Sequence, residues 1–145
     1  MKNAAAAMEG THNFHNFSKR SERSPIRNVK ELNVNQIGQL IVIDVIGESF
    51  LWNMVRKMVK VITMVGNGKM KYQEINLLLN PDNHAPITPV PPEGLILMDI
   101  KYKDINFTYD KYARNNFFKT LKEEYIHRRT IAAAEEEMMK VLKGP

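Results

Sequence analysis

At 145 residues the chain has the length of one ordinary domain, and its 43% apolar and 26% charged composition is that of a soluble globular fold. Its 21 basic against 16 acidic side chains leave a formal charge of +5, which favours a polyanionic partner and says nothing about the fold. The absence of cysteine excludes disulfides, thiolate nucleophiles, zinc ribbons and iron–sulfur sites, and no apolar run is long enough to span a bilayer or serve as a signal peptide, so a cytoplasmic protein is expected.

Residues 1–9 are alanine-rich and helix-favouring. The stretch Gly10-Thr11-His12-Asn13-Phe14-His15-Asn16-Phe17 reads as a turn that docks two phenylalanines. Ser18 to Arg27 sets Lys19, Arg20, Arg23 and Arg27 against a single acid, Glu22, and Pro25 argues against regular structure there, which predicts an exposed basic loop. A hairpin follows, with one strand over Val29 to Asn35, a turn at Asn35 to Gln39, and a second strand over Leu40 to Ile46. The second strand is apolar on both faces, which predicts a central position. Ser49 is a credible N-cap for a helix from Phe50 to Val65, with Gly66 as its stop. Leu51, Met54, Val55, Met58, Ile62 and Val65 recur at three- and four-residue spacing, the stripe of a helix packed on a core.

Tyr72 to Asn80 predicts a short helix closed by Pro81. A proline-studded connection, residues 86–94, leads to an expected strand over Leu95 to Tyr102. The tail, from about Asn115 to Leu142, reads as one long helix or two shorter ones. The order helix, strand, strand, helix, satellite helix, strand matches a ferredoxin-like unit without its first strand. The predicted fold is therefore α+β, a ferredoxin-like half-domain with a carboxy-terminal helical extension.

At about 100° per residue, Arg56 projects more than a quarter-turn from the apolar stripe and shares a flank with Trp52 and Lys60. On spacing alone a solvated surface cation is the default for such a residue, although an indole one turn away stacks well on a guanidinium. His12 and His15 lie three apart, but no carboxylate motif accompanies them, so no metal site is expected. Phe14 and Phe17 suit hydrophobic anchors better than base-stacking platforms, and Glu123, Glu124 and Glu135 to Glu137 suit a solvated helix face.

Three segments in this order and spacing resemble the tRNA pseudouridine synthase A (TruA-like) family, most closely its archaeal members. They are Gly10-Thr11-His12-Asn13-Phe14 with Phe17, then Phe50-Leu51-Trp52-Asn53-Met54-Val55-Arg56-Lys57, then Glu93-Gly94-Leu95-Ile96-Leu97. Ser24-Pro25-Ile26-Arg27-Asn28-Val29 adds to the likeness, which covers residues 1–107 and is most specific at Met54-Val55-Arg56. The resemblance implies isomerisation of uridine to pseudouridine in tRNA, chiefly in the anticodon stem-loop, with no metal or organic cofactor. It further implies a base taken out of its stack, an aspartate that cleaves the glycosidic bond, a tyrosine packed on the base, and Arg56 paired with that aspartate. An arginine suits the role, because its planar fork grips a carboxylate through two bonds and never deprotonates.

The family's aspartate belongs to an Arg-Thr-Asp-x-Gly segment that this sequence lacks, as it lacks the tyrosine. The resemblance is thus to the carboxy-terminal half of the enzyme (residues 1–107), followed by an extension over 108–145. Such a chain is expected to be inactive alone and to need an amino-terminal half as partner. Arg56 is the expected catalytic residue. Lys19, Arg20, Arg23, Arg27, Lys57, Lys60 and Leu95 are the expected substrate-binding residues, with tRNA as substrate and a homodimer as assembly. The alternatives are a stand-alone RNA-binding module without catalysis, or an assembly element whose bare sheet position pairs with another copy.

Overall fold

The computed structural model describes residues 1–19 and 24–143. The chain divides into two compact units, Met1–Ile96 and Leu97–Pro145. The first unit runs α1 (Lys2–Ala6), β1 (Gly10–Asn13), a 3-10 turn (His15–Phe17), β2 (Ile26–Ile37), β3 (Leu40–Gly47), α2 (Met54–Gly66), a 3-10 turn (Tyr72–Glu74) and α3 (Ile75–Leu79). The protein is α+β, with one antiparallel three-stranded sheet in the order β1-β2-β3.

Alternation along β2 decides which face is covered. Leu32 and Val34 are buried, while Glu31, Asn33 and Asn35 between them face solvent. Their cross-strand partners follow suit: Val45 opposite Leu32 and Ile43 opposite Val34 pack partly into the core. Onto this face fold Ala4, Ala5 and Met8 from the first segment, Phe14 and Phe17 from the 3-10 turn, Met54, Met58 and Ile62 from α2, and Ile75 and Leu78 from α3. Phe14 and Phe17 are fully buried and meet edge to face, with ring centroids 5.5 Å apart. The expectation of two docked phenylalanines holds, but the turn expected ahead of them is a strand, β1, pairing Gly10–Asn13 with Val29–Ile26. Just before β1 begins, the Glu9 carboxylate accepts the Leu32 N–H at 2.8 Å, satisfying a strand donor that β1 does not reach.

Two strand expectations are corrected. Among the described residues β3 is an edge strand, not a central one: it pairs with β2 alone, and Leu40 and Ile46 on its outer face are 69% and 49% exposed. Apolarity on two faces reports composition, whereas position in a sheet depends on which strands pair. Leu95 to Tyr102 forms no strand at all. A strand exists only by pairing, and the outer edges of β1 and β3 take up no further strand among the described residues. The described residues thus form a three-strand meander, consistent with a half-domain.

The stripe on α2 is confirmed at Leu51, Met54, Met58 and Ile62, all buried. Its boundaries shift, however. Gly66 is the last helical residue, and its bare Cα lets the Met1 side chain approach: a Cβ there would come within 2.6 Å of Met1 Cγ. The chain leaves the helix through Gly68, at φ +69°, the left-handed exit that glycine permits.

The second unit contains α4 (Lys111–Leu142), one continuous helix of 32 residues. Asp110 caps it, its carboxylate accepting the Ala113 N–H at 2.7 Å. No residue of α4 is buried. No helix among the described residues is long and apolar enough to cross a membrane.

Candidate functional site

The site expected around Arg56 depends on how α2 begins. The sequence predicts a start at Phe50 with Ser49 as cap; the structure starts the helix at Met54 and puts Asn53 at the cap, in the left-handed region (φ 65°, ψ 3°). The reason lies in the preceding turn. Leu51 must enter the core (7% exposed) while Trp52 beside it stays out (72% exposed), and Met54 N–H closes onto the Leu51 carbonyl at 3.0 Å. Asparagine tolerates the left-handed backbone better than other non-glycine residues. Its side chain makes no bond to the helix's own N–H groups.

That amide is instead directed to Arg56, whose Nη1 donates to Asn53 Oδ1 at 2.9 Å. Arg56 Nε donates to the Val90 carbonyl at 2.7 Å, and Val90 N–H returns a longer bond to the Arg56 carbonyl at 3.4 Å. The guanidinium is partly buried and held on two of its nitrogens. Among the described residues, Nη2 has no hydrogen-bond partner and no carboxylate comes within ion-pair distance of Arg56. The stacking expected from Trp52 is not made: no cation–π contact joins the pair, and the Trp52 carbonyl instead accepts the Lys19 N–H at 3.3 Å.

Lys57 turns the other way. It is 9% exposed, and its Nζ donates to the carbonyls of Asn16 at 3.0 Å and Ser18 at 2.7 Å. Burial pushes its ammonium below the ordinary lysine range. Asn16 is itself buried and satisfied on every side. Its Nδ2 donates to the carbonyls of Leu78 and Asn83, at 2.9 and 2.7 Å, and its Oδ1 accepts the Ala85 N–H at 2.9 Å. Lys57 and Asn16 thus tie three stretches together: α2, the 3-10 turn, and the connection after α3.

The expected substrate-binding residues separate accordingly. Lys19 is exposed and bonded through its backbone N–H to the Trp52 carbonyl, just ahead of α2. Arg20 and Arg23 lie outside the described residues. Arg27 bends towards nearby backbone, Nη1 donating to the Ser24 and Ile26 carbonyls at 2.7 and 2.6 Å, while its buried Nε has no partner among the described residues. Lys60 is partly buried one turn beyond Arg56, and Leu95 is half exposed in a turn closed by Leu95 N–H to the Pro92 carbonyl. The structure thus gathers Lys19, Arg56 and Lys57 about the start of α2, and no hydrogen bond joins Arg27 or Leu95 to Arg56. His12 and His15 are engaged with backbone and side-chain atoms of Glu9, Asn13 and Asn83.

Sequence reasoning missed Asn53, Asn16 and the Val90 carbonyl. A signal existed for Lys57, since Met54, Lys57 and Val61 recur at three and four residues and share the buried side. Val90 lies 34 residues from Arg56, and nothing local announces it.

An α+β unit with a fixed, incompletely paired arginine at a helix start is a scaffold for receiving an anion. Comparison with known proteins names the scaffold. Residues 4–103 match the family model described as tRNA pseudouridine synthase, and the chain belongs to that family. Its relatives include proteins named tRNA pseudouridine synthase A. One from Methanothermobacter thermautotrophicus is 42% identical over 126 residues (86% of this chain, 46% of that protein). Another, from Methanosphaera stadtmanae, is 41% identical over 146 residues (99% and 53%). A third, from Methanocaldococcus jannaschii, is 43% identical over 120 residues (81% and 46%). The chain spans about half the length of these curated relatives.

Proposed function

We propose that this chain is the carboxy-terminal half of an enzyme that converts uridine to pseudouridine in the anticodon stem-loop of tRNA, and that Arg56 is its contribution to the reacting centre. In this reading residues 1–107 belong to the catalytic domain and residues 108–145 extend it. The nucleophile is the aspartate of an Arg-Thr-Asp-x-Gly segment borne by an amino-terminal half, and the complete enzyme is a cytoplasmic homodimer.

One observation supports the reading above others: Arg56 is fixed through Nε and Nη1, while Nη2 lacks a partner among the described residues. Such a guanidinium suits a carboxylate from elsewhere. Inside a pocket closed around an extruded base, desolvation would raise the aspartate's pKa, and the adjacent cation opposes that shift, keeping the group ionised at neutral pH. Lys19, beside the helix start, and Lys60, one turn beyond Arg56, suit phosphate contacts that position the tRNA. Lys57, with both carbonyls in hand, acts instead on the shape of the entrance.

The test uses a chimera in which the amino-terminal half of the Methanothermobacter thermautotrophicus relative precedes this chain. Incubated with unmodified tRNA and mapped for pseudouridine, the chimera should turn over and the chain alone should not. Turnover by the chain alone would contradict the assignment of the nucleophile, and an inactive chimera would contradict the division of labour. Salt-dependent tRNA binding without turnover in either would favour a binding module.

A further inference from the structure

We infer that Asn53 and the Val90 carbonyl are positioning groups that fix which edge of Arg56 meets its anion, an inference that rests on the function proposed above. Asn53 occupies the cap of α2, where an asparagine side chain ordinarily accepts a helix N–H. It makes no such bond. Its oxygen goes to Arg56 Nη1 at 2.9 Å, from a backbone held at φ 65°. A residue in an unfavourable backbone region that forgoes its customary partner marks a site where geometry serves something other than the helix.

The second clamp is as specific. Val90 sits between Pro89 and Pro91. The proline after it confines Val90 to extended backbone, and the prolines on both sides limit how the segment can turn, so its carbonyl points one way. That carbonyl takes Arg56 Nε at 2.7 Å. A guanidinium can grip a carboxylate side-on, through Nε and Nη2, or end-on, through Nη1 and Nη2. With Nε taken, the side-on grip is closed, and the incoming carboxylate must be held end-on with Nη2 as the principal donor. The orientation of the catalytic carboxylate is then set by Asn53 and by a backbone carbonyl 34 residues away in sequence.

Two measurements test this. In the chain itself, nitrogen NMR of the Arg56 side chain should show hindered rotation of Nη1 and slow exchange of the Nε proton. Asn53→Gly, which accepts the same backbone without strain, should free Nη1 and leave Nε protected. A freely rotating Nη1 in the unsubstituted chain overturns the inference, whatever the protein's activity. In the chimera, Asn53→Gly should lower kcat about tenfold to a hundredfold, the scale of a slightly misplaced catalytic group, with KM for tRNA within about twofold. In an Arg56→Lys background, where no fork remains to orient, the same change should alter kcat by less than about twofold. An equal loss in both backgrounds, an effect on KM alone, or an unchanged kcat would each overturn it. A clamped Arg56 whose alanine variant keeps full rate would sink the proposed function while leaving the clamp itself established.

Discussion

The two units use the same kinds of residue to different ends. In Met1–Ile96 the aromatic and sulfur-containing side chains Phe14, Phe17, Met54 and Met58 are at most 1% exposed, whereas in the unit beginning at Leu97 the comparable Phe117, Phe118, Tyr125 and Met138 are more than half exposed. The first unit is held by burial and by polar staples that reach across it; α4 is held by what a single helix can supply, namely its cap, its alanines and i,i+4 ion pairs such as Glu124 with Arg128 at 3.3 Å. Long-range order, and with it a fixed functional group, is found where side chains from distant segments share an interior.

The sharpest way to break that comparison is to remove an equal side chain from each unit. Phe17→Ala should cost about 3–5 kcal/mol of unfolding free energy in urea, and Phe118→Ala less than about 0.5 kcal/mol. Similar losses for both would show α4 to be packed in solution.

Next in size is Lys57→Met, which leaves the Asn16 and Ser18 carbonyls without their donor and should cost about 1–3 kcal/mol. The same residue carries a pH signature. Burial lowers its pKa, so the unfolded chain keeps this proton to higher pH than the folded chain does. Its contribution to stability therefore rises with pH across the interval from the lowered value up to the ordinary lysine one, and is flat at neutral pH. The difference between the unsubstituted chain and Lys57→Met, measured through that alkaline interval, should widen with pH; a difference that narrowed would mean that the ammonium is favoured inside.

Smaller effects belong to α4. Asp110→Ala should cost about 1 kcal/mol of helix stability, seen as faster amide exchange at Ala113 and its neighbours. Glu124→Ala should cost about 0.3–0.5 kcal/mol, vanishing at high salt because both partners are largely exposed. An effect in Glu124→Ala as large as that of Lys57→Met would erase the contrast between the units.

Periodic information in the sequence was the reliable part. The α2 stripe, the β2–β3 hairpin and the helical tail all follow from spacing, which depends only on near neighbours in the chain. Pairing information was not available there: β3 has apolar residues on both faces yet ends at an edge, and Leu95 to Tyr102 has strand composition yet no partner among the described residues. The candidate site divides the same way. Arg56 could be singled out by its family motif, but the groups that hold it are an asparagine in a left-handed backbone and a carbonyl in a proline-rich segment. Neither has a signature shorter than the fold itself. The inward turn of Lys57 could be read only from its helical phase, since a lysine in a basic neighbourhood equally suits phosphate.

The most direct test of the account is the rate of the chimera with Arg56 replaced. Arg56→Ala should lower kcat about a hundredfold or more, the scale of losing a preorganised charge at a reacting centre. Arg56→Lys, which keeps the charge without the fork, should lower it roughly tenfold. Full turnover with alanine at position 56 would contradict the account, because the one cation that this half is held to bring to the chemistry would then be dispensable.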